Sequence, residues 1–596
     1  MGGHRIGTAA VAALTALAAA GAAVPARAAA PAVLRVGVWK GVAGTFATIQ
    51  SAVDAAQPGD WILVGPGDWH EKGGNSPQRS AGVLIQKPSL HLRGMDRNGV
   101  IIDGTNPTAT VACDPSPAVQ DPGPVDPSTS KPAGRNGIEV YGKGFVADGV
   151  SIENLTVCNY LASGGGGNGN EIWWNGGDGS GQIGMGSLYG AYLTASSSYN
   201  YATDAANTDM HQAKYGIFTS NEKGPGVITQ TYASNMGDSD YYIGACPDCN
   251  LVLDTPHGVN GALGYSGTNG GGHLIIQNGE WDHNLAGIGP NTLNNDDSPS
   301  PANGACPSGT GPTGTTSCFI IRGNYVHDNN NPNTPRAGIA GAAPVGTGIL
   351  VSGVQNATVI GNRIEGNGGW GILVTDFPDT STPPAEASAQ GQACRGGTDL
   401  TTPAQPLCYY QASGNEITAN AFKNNGGYGV GTGDIGQVAI ASTSGNCYHG
   451  DTDPAGVTTD PPGLETLAAA CGQPGNAPGV GAINVVCQSS AALNLPVAVT
   501  CPSAPSVANF PQTTQVAMFA IPHNLATMPD PCAGVPVNPW CAQVVTSTPV
   551  GSIPNTAAPS AATGPGVALA ITGLAAGGLV GIAVIRVRRR GGVSPD

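Results

Sequence analysis

Residues 348–374 read GILVSGVQNATVIGNRIEGNGGWGILV: three short apolar strands, Asn and Gly at the corners, then the opening phrase again. Ile349 and Ile372 stand 23 positions apart, the length of one coil that stacks on copies of itself. A single coil cannot bury its inner face, so the repeat commits the chain to a solenoid held together by neighbouring rungs. Short strands returning at this interval specify an elongated parallel β-helix.

Further rungs start at Gly137-Ile138, Gly216-Ile217, Tyr242-Ile243, Ala262-Leu263, Gly287-Ile288 and Gly429-Val430. Partner strands include Val227-Ile228, Leu274-Ile275-Ile276 and Phe319-Ile320-Ile321. Superposing the rungs puts Asn235, Asn284, Asn329, Asn367 and Asn425 at one corner position, where amides would hydrogen-bond up and down a column. That column is a structural expectation.

The ends carry targeting signals. His4 and Arg5, an uncharged Ala-rich run over 6–26 and Ala26-Arg27-Ala28 describe a secretory signal peptide, 1–28. At the other end, 567–585 is free of charge and is followed at once by Arg586, Arg588, Arg589 and Arg590. The expectation is a transmembrane or sorting segment at 565–586 with a basic cytoplasmic tail, 587–596, and everything between the two signals outside the cell. Ser560-Ala561-Ala562-Thr563-Gly564 resembles the LAxTG signal that sortases cut, with Ser in place of Leu, so membrane retention and sortase attachment both stand as readings.

Without its targeting segments the chain has 17 Lys+Arg against 38 Asp+Glu, a net charge near −21. That balance argues against nucleic acid, which is bound through Lys and Arg on phosphates. It also argues against direct contact with polyuronates unless a divalent cation intervenes. All 14 cysteines belong to the exported part, as expected of an oxidising compartment. Cys306 with Cys318 and Cys394 with Cys408 read as staples across loops. Cys246 and Cys249 read as a structural loop bridge, because no strand-then-helix context supports a redox motif. Cys532 and Cys541 are also close in sequence.

Residues 46–56 read FATIQSAVDAA, with Ile49, Ala52, Val53 and Ala56 at helical spacing and Pro58-Gly59 as a stop. A strand follows at 61–64, and a second rung at 83–94 and 100–104. This helix-then-rung arrangement resembles the amino end of the pectin-lyase-like right-handed parallel β-helix superfamily. The resemblance implies a right-handed all-β solenoid over 40–445, a capping helix that shields the open end, and an extracellular polysaccharide as partner. It also implies lyase, epimerase or hydrolase chemistry as the classes to test. Asn207-Thr208-Asp209 and Asp296-Asp297 are superficially like two polygalacturonase motifs, but the accompanying GHG and RxK elements are missing and the carry-over fails. Beyond the helix, 446–545 reads as a Cys-containing appendage and 546–564 as a Pro/Thr/Ala linker.

Candidate function concentrates in two kinds of place. Long insertions at 105–136, 160–212, 289–318 and 375–414 interrupt the rungs, and loops on a rigid scaffold commonly carry function. Asp296, Asp297, Asp376 and Asp379 in two of them are candidate calcium ligands, although no twelve-residue calcium loop is present. Trp173 and Trp174, in 160–212, are candidates for stacking on sugar rings. The second place is an outward column. Flanking the inward residues Trp281, Val326, Ile364 and Phe422 come Asp282, His327, Glu365 and Lys423. On rungs about 4.8 Å apart, Asp282, His327 and Glu365 supply carboxylate and imidazole for acid/base catalysis, with Lys423 as a substrate contact. The alternative is a non-catalytic adhesin whose β-helix is a rigid spacer and whose charged row only avoids like-charge repulsion.

Overall fold

The computed structural model describes residues 30–467, apart from 164–167, 178–180, 205, 295–300, 312, 339, 380–393, 401–406, 430 and 439–444, together with 516–541. The signal peptide, linker, span and tail expected at the two ends lie outside these residues. Among the described residues no helix is long and apolar enough to cross a membrane.

Two long sheets of 18 and 12 strands build the solenoid. Apart from the first pair of the second sheet, Gly74–Ser76 against Arg79–Ile85, every pairing within them is parallel. The repeat met first in the sequence is one rung: Ile349 pairs in register with Ile288 before it and with Ile372 after it. The same inward column runs from Val83 through Ile138, Ile172 and Ile217 to Ile435. Tyr241 and Tyr265 occupy two of its positions and pack edge-on against the fully buried Trp281, at ring distances of 5.4 and 6.3 Å. The inner column is therefore one continuous apolar core, with large rings where a rung has room for them.

The register corrects four sequence readings. The segment 160–212 is no mere insertion. It contains a full rung, in which Asn170–Asn175 pairs with both neighbours in the second sheet and Leu188–Ser196 does so in the first. Its second-sheet strand keeps the inward Ile172 but has Glu171 where most rungs have Gly, and Trp173 after it, which hides the phrase. The rung assigned to Gly429-Val430 is formed five residues later, by Gly433–Val438 with Ile435 inward. Rungs also continue past 445, where Cys447–His449 and Thr459–Asp460 add to the two sheets.

The fourth correction concerns the corners. Asn284, Asn329, Asn367 and Asn425 do form a ladder, each Nδ2 donating to the next Oδ1 at 2.9 to 3.3 Å. Asn235 is not a member. It sits one position earlier, in a column with Asn260, His283 and Asp328 whose residues all have positive φ. Asn, Asp and His tolerate that conformation better than most side chains, and this explains the composition of the column. A second ladder, Asn324, Asn362, Asn420 and finally Asp451, lines the other bend of the first sheet.

The helix Ile49–Ala55, about two turns long, buries Ile49, Ala52 and Val53 in the core. Thr48 Oγ1 accepts from the Ser51 N–H, and Glu71 accepts from the N–H groups of Ile49 and Gln50 at 2.6 and 3.1 Å. A carboxylate and a hydroxyl thus satisfy donors that a helix start leaves free.

Residues 516–541 lie along the outside of the solenoid and run back toward its first rungs. Val516, Ala517 and Phe519 offer carbonyls to Asn331, Asn260 and Asn235. Further on, the backbone meets Asn98, Arg97, Asn154 and Arg93, and Trp540 Nε1 donates to Val42 O at 2.9 Å. Cys532 is bonded to Cys541 at the end of this strap.

Candidate functional site

The outward row is in register. Asp282 pairs with His327, His327 with Glu365 and Glu365 with Lys423 on consecutive rungs of the first sheet. A second column runs beside it through His257, Glu280, Tyr325 and Arg363; the last three stand two residues before Asp282, His327 and Glu365, and His257 pairs with Glu280 from the rung before. This second column was not among the sequence candidates. The i−2 position of each strand in the row was the available signal, since alternate residues share one face.

No member of the row Asp282, His327, Glu365 bonds to the next; each finds its partners on the diagonal or on its own strand. Asp282 accepts from His257 Nε2 at 2.6 Å and from His283 Nδ1, and it is largely buried. Burial alone would raise its pKa, but these two imidazole bonds hold it well below the usual carboxylate range. His327 contacts Asp328 through Nδ1 at 3.0 Å and Glu280 through Nε2 at 3.3 Å. Burial opposes its protonation, yet the two carboxylates win and push its pKa up to about 9. Glu280 is held low in turn by its bond to His327. Glu365 takes a two-pronged hydrogen bond from Arg363, both at 2.8 Å, which keeps it ionised. Tyr325 stacks on His327 at 4.0 Å, lies under the Arg363 guanidinium at 4.1 Å, and donates to Glu365 at 3.3 Å. Lys423 is exposed at the end of the row.

The direct carboxylate–imidazole–carboxylate contact expected of Asp282, His327 and Glu365 is therefore not formed. Each of the three has a diagonal or same-strand partner instead. Asp282 and Glu365 stand two rungs apart, so their backbones are about 10 Å from each other.

The remaining candidates are scattered. Trp174 is a correction: it is fully buried in the core, with Nε1 donating to Val150 O, and cannot meet a sugar. It points inward because it follows Ile172 by two on the same strand. Trp173 points outward on the second sheet, stacked on Phe218 at 4.8 Å, and so does not share the sheet of Asp282. Asp296 and Asp297 lie outside the described residues. Asp376 accepts from the Ala412 N–H at 2.8 Å and from the Tyr409 hydroxyl, and Asp379 accepts from the Asn294 N–H at 2.5 Å. These two carboxylates tie edge loops together.

Cystines join Cys246 to Cys249, Cys306 to Cys318 and Cys394 to Cys408. Cys113–Cys158, not anticipated, pins the 105–136 loop to the strand Val150–Cys158. A separation of 45 residues gave no local cue for it.

No protein-family model and no curated protein matches the chain. Among solved structures it is similar to the A-module of a mannuronan C-5 epimerase of Azotobacter vinelandii, with 13% identity, 68% of this chain and 91% of that one covered, and a TM-score of 0.35. An alginate lyase from a Paenibacillus species gives 10% identity over 72% and 97% of the two chains at a TM-score of 0.31. Pectate lyase Pel9A gives 12% identity over 72% and 78% at 0.32. What this chain has in common with these proteins is the parallel β-helix, which its own strand register establishes.

Proposed function

We propose that this is an exported, surface-anchored, right-handed β-helix protein that binds or processes an extracellular polysaccharide on the face holding Asp282, His327 and Glu365. The helix Ile49–Ala55 serves as its cap, residues 1–28 direct export, and 565–586 hold it at the membrane or hand it to a sortase. The observation that carries the reading is the double column itself. A row of carboxylates, imidazoles, a phenol and a guanidinium sits on a rigid outer face, with His327 protonated at neutral pH between Glu280 and Asp328. An imidazolium can donate a proton to a leaving oxygen, a carboxylate can accept one, and Arg363 and Lys423 can meet an acidic sugar. Lyase, epimerase and hydrolase chemistry all draw on that set.

One feature favours the adhesin reading instead. Asp282, Glu365 and His327 are each neutralised by an immediate neighbour, as in a stable surface ladder. The two readings separate on a polysaccharide panel incubated with the full chain, with and without calcium. The enzyme reading expects turnover of at least one glycan, reduced about 100-fold or more in His327→Gln and Asp282→Asn. Binding without turnover on every glycan leaves the adhesin. Turnover that survives both substitutions moves the chemistry to another face.

A further inference from the structure

We propose that His257, Glu280 and Asp282 form a site for a transition-metal dication of the zinc class, with coordination completed by solvent or ligand from the open side. His257 Nε2, one oxygen of Glu280 and one of Asp282 all lie within 4.8 Å of one another. Three atoms so placed surround a point no more than about 2.8 Å from each, and shifts of under about 1 Å reach the roughly 2.0–2.2 Å of zinc–nitrogen and zinc–oxygen bonds, the metal replacing the proton that His257 Nε2 donates to Asp282 and releasing it to solvent.

The backbone holds these donors together. His257 and Glu280 are register partners on adjacent rungs, and Asp282 is the next outward residue on the strand of Glu280. The site is also reachable: the side chains of His257 and Glu280 are 34% and 49% exposed. Each carboxylate has an outer partner to orient it, His283 on the second oxygen of Asp282 and His327 on Glu280. Such partners are characteristic of metal ligands. An imidazole among the donors selects zinc, nickel or copper, whereas calcium wants six to eight oxygens. Three protein ligands, two of them reachable from solvent and Asp282 buried beneath, correspond to an open metal site, not a closed structural one.

Other His/Cys/carboxylate groupings among the described residues do not offer this. Three of them include Cys113 and Cys158, Cys246 and Cys249, or Cys447, whose sulfurs are in disulfides. In the remaining one, Asp68, His70 and Asp103, both Asp103 oxygens accept backbone N–H groups, from Thr105 and Cys113, which unlike the His257 proton on Asp282 cannot be given up to a metal.

A dication here would give an acidic protein a positive point at which to hold an anionic sugar. That use rests on the polysaccharide reading above, whereas the ion site rests on the donor geometry alone. The test is the full chain, stripped with chelator and titrated with zinc and, separately, with calcium by calorimetry, and with cobalt by visible absorption. Expected are one zinc per chain, cobalt bands of low-coordinate character, and zinc binding weakened about tenfold or more in both His257→Gln and Asp282→Asn. His70→Gln leaves zinc binding unchanged, and calcium does not displace zinc. His257 is partly exposed, so its variant keeps the fold, as circular dichroism checks, even if Asp282→Asn does not. No zinc binding, unaltered binding in folded His257→Gln, or loss in His70→Gln overturns the site. Zinc binding with no glycan bound or turned over keeps the site and sinks the polysaccharide reading. Glycan turnover by chain that binds no zinc does the reverse.

Discussion

At the scale of single residues, the acidic composition meets a limit inside the solenoid. Glu222 is fully buried, with Oε1 accepting from the Thr219 hydroxyl at 3.1 Å, and among the described residues no cation pairs with it. Burial pushes its pKa up to about 8 from an ordinary 4.5. The native state therefore binds a proton that the unfolded chain releases above about pH 4.5. The stabilisation is complete below that pH and is lost as pH rises to about 8. The expected outcome is a fall in unfolding free energy between pH 5 and pH 8 that Glu222→Gln reduces, by on the order of a few kcal/mol. Denaturant midpoints for both proteins across this range check it, and identical slopes would exclude Glu222 as a contributor.

Within the elements, the corners carry as much constraint as the strands. In the Asn324–Asn362–Asn420–Asp451 ladder, Asn362 Oδ1 accepts the backbone N–H and Nδ2 of Asn324, and its own Nδ2 donates to Asn420 Oδ1 and Ile321 O. All of this is buried. Truncation would leave donors on one rung and acceptors on the next without partners, and water cannot reach them. Asn362→Ala should lower stability by about 3 kcal/mol, measured by denaturant unfolding. A comparable change at the half-buried Asn98 would not test the ladder, because that side chain serves the strap.

Over the whole molecule, the strap 516–541 changes what the solenoid presents to solvent. Arg97 is its main tie: the guanidinium donates to Thr194 Oγ1, Leu193 O and Gln230 O on two rungs and to Ala526 O on the strap. Arg93 adds the carbonyls of Pro531 and Ala533 while paired to Glu153 at 2.6 Å. Phe519 also meets the ring of His283 edge-on at 5.3 Å, so the strap borders the candidate site. Arg97→Met should ease local opening of the strap by about 2 kcal/mol, roughly a 30-fold rise in its open population. Limited proteolysis checks this: cleavage within 516–541 should accelerate while the rungs stay intact. Unchanged cleavage would mean that Arg93 and Trp540 suffice to hold it.

Sequence alone determined the solenoid, because a 23-residue return of an apolar phrase leaves a chain no other way to bury its inner face. The row Asp282, His327, Glu365 and Lys423 followed from the same periodicity, since counting from an inward residue fixes which neighbours face out. Local pairs such as Cys306 with Cys318 were equally legible, being close along the chain. Tertiary structure decided everything that depends on distance across rungs. It showed the rung hidden in 160–212, whose polar and aromatic strands lack the Gly-Ile phrase, and it buried Trp174 while leaving Trp173 outside. It placed Asn235 in a different corner column from Asn284, a slip of one residue that superposed sequences cannot detect where a left-handed residue absorbs it. It also chose the partners of the row. Whether His327 binds Glu365 above it or Glu280 on the diagonal depends on side-chain reach between strands, and the imidazole of His257, two rungs before His327, reaches Asp282 only once the coils are stacked.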